Sequence, residues 1–283
     1  MRTRKPCVAG TFYPSDKRDL LKLIGDCFTN ELGPGRLPRK EGGLEEGLIA
    51  LLSPHAGYIY SGPVASHGFL LLSERKRPRT VVVVGPNHTG VGTDVSLYPE
   101  GKWLTPLGAI DIDNELTYSL VRRSARFSID DFSHASEHSI EVQLPFLQYV
   151  LGEFKLVPIC MLDQSQETSL EVGDAIAEAI VGRETLLVAS SDLTHYEPAE
   201  EARKKDEQVI SAVLALDVGG LYSTIASTGS TACGYGPMAI AMRVAQRLGA
   251  EKGTLLKYAN SGDIMGDNRA VVGYSSVTFE KGR

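Results

Sequence analysis

The chain has 283 residues, of which 42% are hydrophobic and 23% are charged, proportions typical of a globular protein with one large α/β domain or two small ones. A formal net charge of -6 argues against a protein that binds nucleic acid, because phosphate binding depends on clustered Lys and Arg. No stretch has the apolar core of a signal peptide or the roughly 20 apolar residues of a membrane span. We therefore predict a cytoplasmic protein with no nucleic-acid or membrane partner, whose four cysteines are free thiols.

The apolar patterns predict helices and strands that alternate along the chain, as in an open α/β sheet. No long polar linker divides them, so no second domain is required. In chain order we predict an N-terminal docking arm (4–14), a helix capped by Ser15, an exposed loop (31–47), a strand (48–52), a helix (63–72), strands at 80–84 and 93–98, a helix that opens near Ser133, a strand (155–162), a helix (169–181), a strand (186–190), helices at 200–216 and 238–244, a strand (254–258), a loop (260–267) and a strand (270–279).

Three of the six histidines stand in loops directly after predicted strands: His55, His88 and His195. In open α/β sheets, ligands bind beyond the carboxyl ends of the strands, so we expect these three imidazoles to converge there. Neutral imidazole is the commonest metal ligand in proteins, and its alternative role is proton transfer near neutral pH. The sequence therefore predicts a metal or acid/base site at this edge of the sheet.

Cys233 is followed by two glycines and a proline, Gly234, Gly236 and Pro237, just before a predicted helix, and a helix N-terminus favours the thiolate. The alternative is a small residue in a tight turn. With His55 and His88, Cys233 forms a candidate three-ligand site, and mixed nitrogen and sulfur ligands suit iron, copper or zinc better than magnesium or calcium. Asp192 and His195 are three residues apart in one loop, where the carboxylate can orient and the imidazole can act as acid or base.

A further acidic and histidine-containing segment, Glu137, His138 and Glu141, falls in the first turns of the helix predicted near Ser133. These residues are candidates for a ligand pair or for groups that orient a ligand, and the alternative is a polar helix start with favourable acid placement. Three aromatic residues in predicted loops are candidates for the substrate side: Tyr58, Trp103 and Tyr235.

Six segments, spread in order over nearly the whole chain, resemble the Memo family. They are the stretches 8–14 (VAGTFYP), 54–58 (PHAGY), 85–88 (GPNH), 137–141 (EHSIE), 190–195 (SSDLTH) and 258–263 (YANSGD). The Memo family is similar in fold to the LigB-type (class III) extradiol dioxygenases, which are non-haem iron enzymes. The resemblance implies a single three-layer α/β domain over residues 1–283, with a central mixed, largely parallel sheet and a metal cleft at the strand ends.

The resemblance also implies roles for individual residues. LigB-type dioxygenases hold iron with two histidines and a glutamate, and a further histidine is the acid/base. His55 and His88 fit the histidine pair, His195 fits the acid/base, and Asp192 lies close by. Cys233 stands where a carboxylate is expected, so ring cleavage does not follow from the fold. His138, Glu141 and Tyr58 are expected on the substrate side or behind the metal ligands.

Three functions remain open at this point, of which hydrolysis by a bound zinc ion is the weakest. The first is a metal-dependent redox protein, an oxidoreductase that uses iron or copper. The second is a non-catalytic module that binds a peptide or protein in a dioxygenase-like cleft. The family resemblance further implies copper or iron redox behaviour, phosphotyrosine-peptide binding and a functional link to radical-SAM and AMMECR1-like proteins. The ligand is expected to be a small molecule or a peptide.

Overall fold

A twelve-stranded mixed sheet organises the part of the chain that the structure describes, residues 2–39, 43 and 45–282 of a computed structural model. Residues 40–42 and 44 of the predicted exposed loop lie outside the described residues. The strands are β1 (Thr3–Arg4), β2 (Leu48–Ser53), β3 (Thr80–Pro86), β4 (Val95–Leu97), β5 (Lys102–Thr105), β6 (Gly108–Ile112), β7 (Phe127–Ile129), β8 (Lys155–Met161), β9 (Thr185–Ser190), β10 (His195–Glu197), β11 (Gly253–Asn260) and β12 (Val271–Glu280).

The described residues also form nine α-helices and one 3-10 helix, Glu141–Gln143. None of these helices is long and apolar enough to cross a membrane. The α-helices are α1 (Lys17–Thr29), α2 (Tyr58–Ser73), α3 (Asn114–Val121), α4 (Leu144–Leu151), α5 (Gln166–Ile180), α6 (Ala199–Leu214), α7 (Val218–Thr228), α8 (Tyr235–Arg247) and α9 (Ser261–Met265).

The strand order along the sheet is β1-β5-β6-β8-β3-β9-β2-β12-β10. Its centre is parallel, because β8 pairs with β3, β3 with β9, and β9 with β2 in the same direction. Beyond β2 the sheet becomes antiparallel, with β12 paired to β2, β10 and β11. The fold is therefore the predicted α/β fold with a mixed, mostly parallel sheet.

Strand β3 shows why the sheet is covered on both faces. Its residues 81–84 are four consecutive valines, all buried, as expected for a parallel strand between two helical layers. Because side chains alternate along a strand, Val82 and Val84 join a core with residues of α5 and α8. Val81 and Val83 join a second core with residues of α1, α2 and α4. The sheet and its two helical layers make three layers.

Several predicted boundaries were wrong. Helix α1 is capped by Asp16 and not by Ser15, since the Asp16 carboxylate accepts the N–H groups of Arg18 and Asp19. Helix α2 begins five residues before Pro63, so this proline lies inside the helix and not in its first turn. The pattern also did not reveal α3, α7 or the β5–β6 hairpin.

The segment before α4 was predicted as the start of a helix and is irregular up to Ile140. The helical turns begin only with the 3-10 helix, and regular α-helix starts at Leu144, with Pro145 in its first turn. Pro145 therefore marks a helix start and not a kink, because its fixed φ and missing N–H are harmless there. Glu137 and His138 are therefore loop residues, and the spacing of a helix does not determine the directions of their side chains.

Candidate metal centre

The central parallel strands deliver the predicted side chains to one edge of the sheet. His55 and His88 each lie two residues beyond the ends of β2 and β3, and these two strands flank β9. Asp192 lies two residues beyond the end of β9 itself. Strands β2 and β9 end level, with Ser53 opposite Ser190. The three loops therefore start side by side.

Cys233 reaches this edge from the loop before α8. Its backbone N–H donates to the Asp192 carbonyl at 3.2 Å, and the Asp192 N–H donates to its Sγ at 3.3 Å. Gly234 permits this close approach, because a Cβ there would lie 2.4 Å from the Ser190 carbonyl oxygen. The glycine after the cysteine is thus explained by contact with the end of β9.

The structure brings His55, His88 and Cys233 together. Each offers one ligand atom, and these atoms all lie within 4.8 Å of one another. His55 Nε2 is 3.3 Å from Cys233 Sγ, and the rings of His55 and His88 have centroids 5.3 Å apart. His55 is 2% exposed, whereas the His88 side chain is 33% exposed. The cluster therefore has a buried floor and one side open to solvent.

A hydrogen-bond chain fixes which nitrogen of His55 carries the proton. The Ser190 hydroxyl donates to the Ser139 carbonyl at 2.6 Å and accepts the Gln143 side-chain amide at 2.7 Å. With its only hydrogen used, Ser190 Oγ must accept from His55 Nδ1, which is 2.9 Å away. Nδ1 is then protonated, and the lone pair on Nε2 faces Cys233.

The orientation of His88 depends on Glu137, a carboxylate that is 1% exposed. Glu137 Oε1 lies 3.0 Å from His88 Nδ1, and Oε2 accepts the His88 backbone N–H at 2.5 Å. Although burial raises it, the pKa of Glu137 falls to about 2, chiefly through the hydrogen bond and charge of His88. An ionised carboxylate only accepts hydrogen bonds, so Nδ1 is the donor, and in the neutral imidazole the lone pair is on His88 Nε2.

His88, Glu137 and His138 form a second group whose ligand atoms lie within 4.8 Å. Glu137 Oε1, however, also accepts the backbone N–H groups of His138 and Ser139, each at 2.8 Å. With four N–H groups on its two oxygens, this carboxylate has little capacity left for a cation. We therefore interpret the second group as residues that orient His88 of the first group, and not as a separate metal site.

Burial dominates the electrostatics of the cluster. It lowers the pKa of His55 well below the ordinary value, and the neighbouring His138 and His88 add to this effect. Burial also raises the pKa of the Cys233 thiol, with the Asp192 carboxylate adding to the rise. The expectation that the helix start would favour the thiolate was therefore wrong for the protein alone. A cation at the cluster would be needed to stabilise a thiolate there.

Comparison with known protein sequences identifies the family of the chain. A family model described as Memo-like protein matches residues 4–278. The chain belongs to the Memo family. It is 48% identical over 282 residues to a MEMO1 family protein of Methanopyrus kandleri, with 99% of both chains covered. A MEMO1 family protein of Nitrosopumilus maritimus is 45% identical over 277 residues, which cover 98% of this chain and 99% of the relative.

Among solved structures, the chain is similar to the crystal structure of an uncharacterized protein, JW3007, from Escherichia coli K12. The TM-score is 0.58 at 16% identity, with 82% of this chain and 99% of the other covered. At this identity the likeness concerns the fold alone. The predicted Memo resemblance is confirmed, together with the α/β fold class.

In this Memo-family chain, Asp192 orients the His55 loop. Asp192 Oδ1 accepts the His55 backbone N–H at 2.8 Å, and the carboxylate also accepts the N–H of Ala56. Burial raises the pKa of Asp192, while the His55 hydrogen bond and the charge of His195 oppose the rise. Because its contacts are to backbone N–H groups, the carboxylate acts on the position of His55.

His195 begins β10, beside the cluster. Among the described residues, it stands outside the group of ligand atoms that includes Cys233. The His195 backbone N–H donates to Thr231 Oγ1 at 2.7 Å, and the ring Nδ1 of His195 lies 3.2 Å from the Thr231 carbonyl oxygen. Since a carbonyl only accepts, Nδ1 carries the hydrogen and Nε2 is free to take up a proton.

His138 lies against both ligand histidines. Its ring stacks on His88 with centroids 4.8 Å apart, meets His55 edge-on at 5.6 Å and contacts Phe12 at 4.8 Å. Burial lowers the pKa of His138, so it is neutral at pH 7. His138 therefore lies in contact with His55 and His88, and Phe12 is a further neighbour that the sequence analysis did not name.

Glu141 does not lie in the cluster and instead anchors the N-terminal arm. It is fully buried, forms an ion pair with Arg4 and accepts the Tyr13 hydroxyl. It also accepts the backbone N–H groups of Cys7 at 2.9 Å and Val8 at 3.1 Å. The prediction of an arm that docks is supported, and the described hydrogen bonds of Glu141 are to this arm and not to His55, His88 or Cys233.

Two predicted substrate-side aromatics are core residues. Tyr58 is 1% exposed and donates its hydroxyl to the Val142 carbonyl at 2.7 Å. Trp103 lies in β5 and is fully buried under the Arg4 guanidinium, 4.5 Å from its ring centroid. Burial of their large aromatic surfaces is favourable, and it outweighed the loop-like sequence pattern around Tyr58 and Trp103. Tyr235 is half-buried at the start of α8 and packs edge-on against Tyr222.

A groove of about 1670 Å³ lies at the opposite edge of the sheet, near the first residues of β3, β8 and β9. Most charged side chains that line this groove form ion pairs with one another, so they do not indicate a catalytic or metal site. The ion pairs at its rim are Arg79 with Glu184, Lys102 with Asp111, and Arg183 with Glu115.

Proposed function

We propose that this Memo-family chain is a metal-binding redox protein, an oxidoreductase that uses iron or copper held by His55, His88 and Cys233. The observation that carries the proposal is the convergence of three free donor atoms within 4.8 Å of one another. Nitrogen and sulfur donors suit iron, copper and zinc. The reaction and its substrate stay open.

The donor atoms fit a metal ion in chemistry and in spacing. In their neutral forms both histidines carry the proton on Nδ1, so each Nε2 has the lone pair that a metal requires. The 3.3 Å between His55 Nε2 and Cys233 Sγ is close to the roughly 3.5 Å between nitrogen and sulfur ligands of one tetrahedral ion. In the protein alone, the same spacing suits a thiol that donates to the imidazole.

Iron or copper held by these three residues would supply electron transfer and a place for a substrate to bind. The chain supplies the rest. Glu137 and Ser190 hold the two imidazoles in one tautomer, and Asp192 holds the His55 loop through its backbone N–H. His195 Nε2 takes up or gives a proton at the exposed side, and the His138 ring lines that side.

The test is elemental analysis and an absorption spectrum of anaerobically purified protein, before and after addition of a catechol-type reductant and oxygen. We expect one iron or copper per chain, with a thiolate-to-metal band that changes on reduction. Cys233→Ser should lose the band. Cys7→Ser is the matched control, because Cys7 is an exposed thiol in the N-terminal arm.

Other outcomes separate the alternatives. Zinc alone, with no response to reductant or oxygen, would contradict the redox proposal and favour hydrolysis by zinc-bound water. No metal in the wild type, with reconstitution failing, would contradict metal binding altogether. The chain would then be a non-catalytic module that binds a peptide or protein.

A further inference from the structure

Gln164 clamps the loop that carries Cys233. It stands between β8 and α5, and its side-chain amide spans the turn from Cys233 to Gly236. Gln164 Nε2 donates to the Cys233 carbonyl at 2.9 Å, and Gln164 Oε1 accepts the Gly236 backbone N–H at 2.9 Å. One side chain thus satisfies a backbone acceptor and a backbone donor on either side of the turn.

We propose that Gln164 is the positioning residue that holds the Cys233 sulfur at the metal. The inference rests on the proposed function, because it concerns the same site. Gln164 touches the backbone around Cys233 and not the sulfur, so its effect on a metal would act through the position of the thiolate. Loss of a group that orients a metal ligand typically lowers metal affinity or activity by about 10- to 100-fold.

The two sides of the Cys233 turn are held by different strand ends. The end of β9 holds the sulfur side, where the Asp192 N–H donates to Sγ at 3.3 Å. The loop after β8 holds the carbonyl side through Gln164. The Cys233 and Gly234 backbone N–H groups also donate to this end of β9, at the Asp192 carbonyl and Ser191 Oγ. Gln164 adds a hold on the Cys233 carbonyl and the Gly236 N–H, which further limits motion of the turn before a metal binds and so lowers the entropic cost of binding.

The sequence around the clamp is consistent with this role. A Cβ at Gly236 would lie 2.9 Å from Gln164 Cβ, so the close approach depends on glycine at this position. The Gln164 carbonyl accepts the Tyr222 hydroxyl at 2.7 Å, and Ser169 Oγ lies 2.9 Å from the same hydroxyl. Burial raises the pKa of Tyr222 to about 12, so this hydroxyl remains a donor at neutral pH. The glutamine is therefore itself anchored to α7 and α5.

The experiment uses Co²⁺ as the probe, because a cobalt thiolate gives an absorption band that reports on the sulfur. Co²⁺ is titrated into the full chain in competition with a chromogenic chelator, for wild type, Gln164→Leu and Gln164→Glu. Gln148→Leu is the matched control, because Gln148 also accepts and donates through its amide, to Thr105 and Gly108, near the groove at the other edge of the sheet.

We expect Gln164→Leu to weaken Co²⁺ binding by about 10- to 100-fold and to shift or weaken the thiolate band, while Gln148→Leu matches wild type. Gln164→Glu keeps the acceptor for Gly236 but loses the donor to Cys233, so it should also shift the band. Thermal unfolding monitored by circular dichroism checks that each variant is folded.

Wild-type affinity and spectrum in both folded Gln164 variants would overturn the clamp while leaving the metal site intact. A wild type whose Co²⁺ spectrum is unchanged by Cys233→Ser would instead overturn the metal site, and the clamp with it. The first outcome concerns Gln164 alone, so the two failures are distinguishable.

Discussion

At the scale of single residues, each imidazole of the candidate centre is oriented by a partner that spacing alone does not reveal. Ser190 acts on His55 only because its hydrogen is already donated to Ser139. Glu137 acts on His88 from a loop that is 49 residues away along the chain. Such partners are visible only when the hydrogen-bond network is complete.

Glu137→Gln tests the carboxylate–histidine contact. The variant loses the negative charge that faces His88 Nδ1 and places an amide where two oxygens accept four N–H groups. We expect metal affinity to fall by about 10- to 100-fold, measured by competition with a chelator. Glu167→Gln is the control, since Glu167 pairs with Arg126 on the exposed surface. Equal affinities in both variants would refute the role of Glu137.

His134 gives a pH dependence of stability. Burial lowers its pKa from 6.5 to about 4 in the folded protein, so between these values the unfolded chain binds a proton that the folded chain does not. The free energy of unfolding therefore falls as pH drops from 6.5 to 4, by on the order of 3 kcal/mol for this residue. Denaturant unfolding of wild type and His134→Gln at pH 7 and 4.5 measures it. A variant with the same pH slope as wild type would contradict this assignment.

At the scale of elements, the parts that could be predicted follow from strand geometry. Parallel strands end at one edge, so a histidine after β2 and another after β3 were expected at the same edge of the sheet, and the strand order, with only β9 between them, brings them together. The period of two likewise placed Val81 to Val84 in two cores. These features depend on local pattern and sheet symmetry, which a single sequence contains.

The rest depends on contacts between distant parts of the chain. Glu141 was expected near the metal ligands, but Arg4, 137 residues away, draws it into an ion pair. Trp103 reads as a loop residue until β1 and β6 pair with its strand. In the segment before α4, the Glu137 carboxylate accepts the backbone N–H groups of His138 and Ser139. These hydrogen bonds stabilise a turn, and they outweigh the helix propensity of the segment.

The docked arm gives a prediction at this scale. Arg4 is buried against Glu141 and also donates to the carbonyls of His134, at 3.0 Å, and Glu137, at 2.6 Å. Arg4→Ala leaves a buried carboxylate without its cation, so we expect a loss of about 3–5 kcal/mol in the free energy of unfolding. Arg2→Ala should cost less than about 1 kcal/mol, because its pair with Asp131 is exposed. Similar costs for the two variants, measured in denaturant, would show that the arm is not held in this way.

At the scale of the whole molecule, the residues that form the hydrophobic cores are separate from those of the candidate metal site. The two cores lie on the faces of the sheet, whereas His55, His88 and Cys233 stand beyond the strand ends. Substitutions of these three residues can therefore test the proposed metal binding with little loss of core packing. The same arrangement lets one α/β scaffold carry different chemistries in different proteins.

The central claim is that two imidazoles and one thiolate bind a single metal ion. X-ray absorption at the edge of the bound iron or copper tests it most directly. We predict one sulfur at about 2.3 Å and two imidazole nitrogens at about 2.0–2.1 Å, with the same spectrum in His195→Ala and no sulfur in Cys233→Ser. A metal surrounded only by nitrogen and oxygen in the wild type would contradict the account.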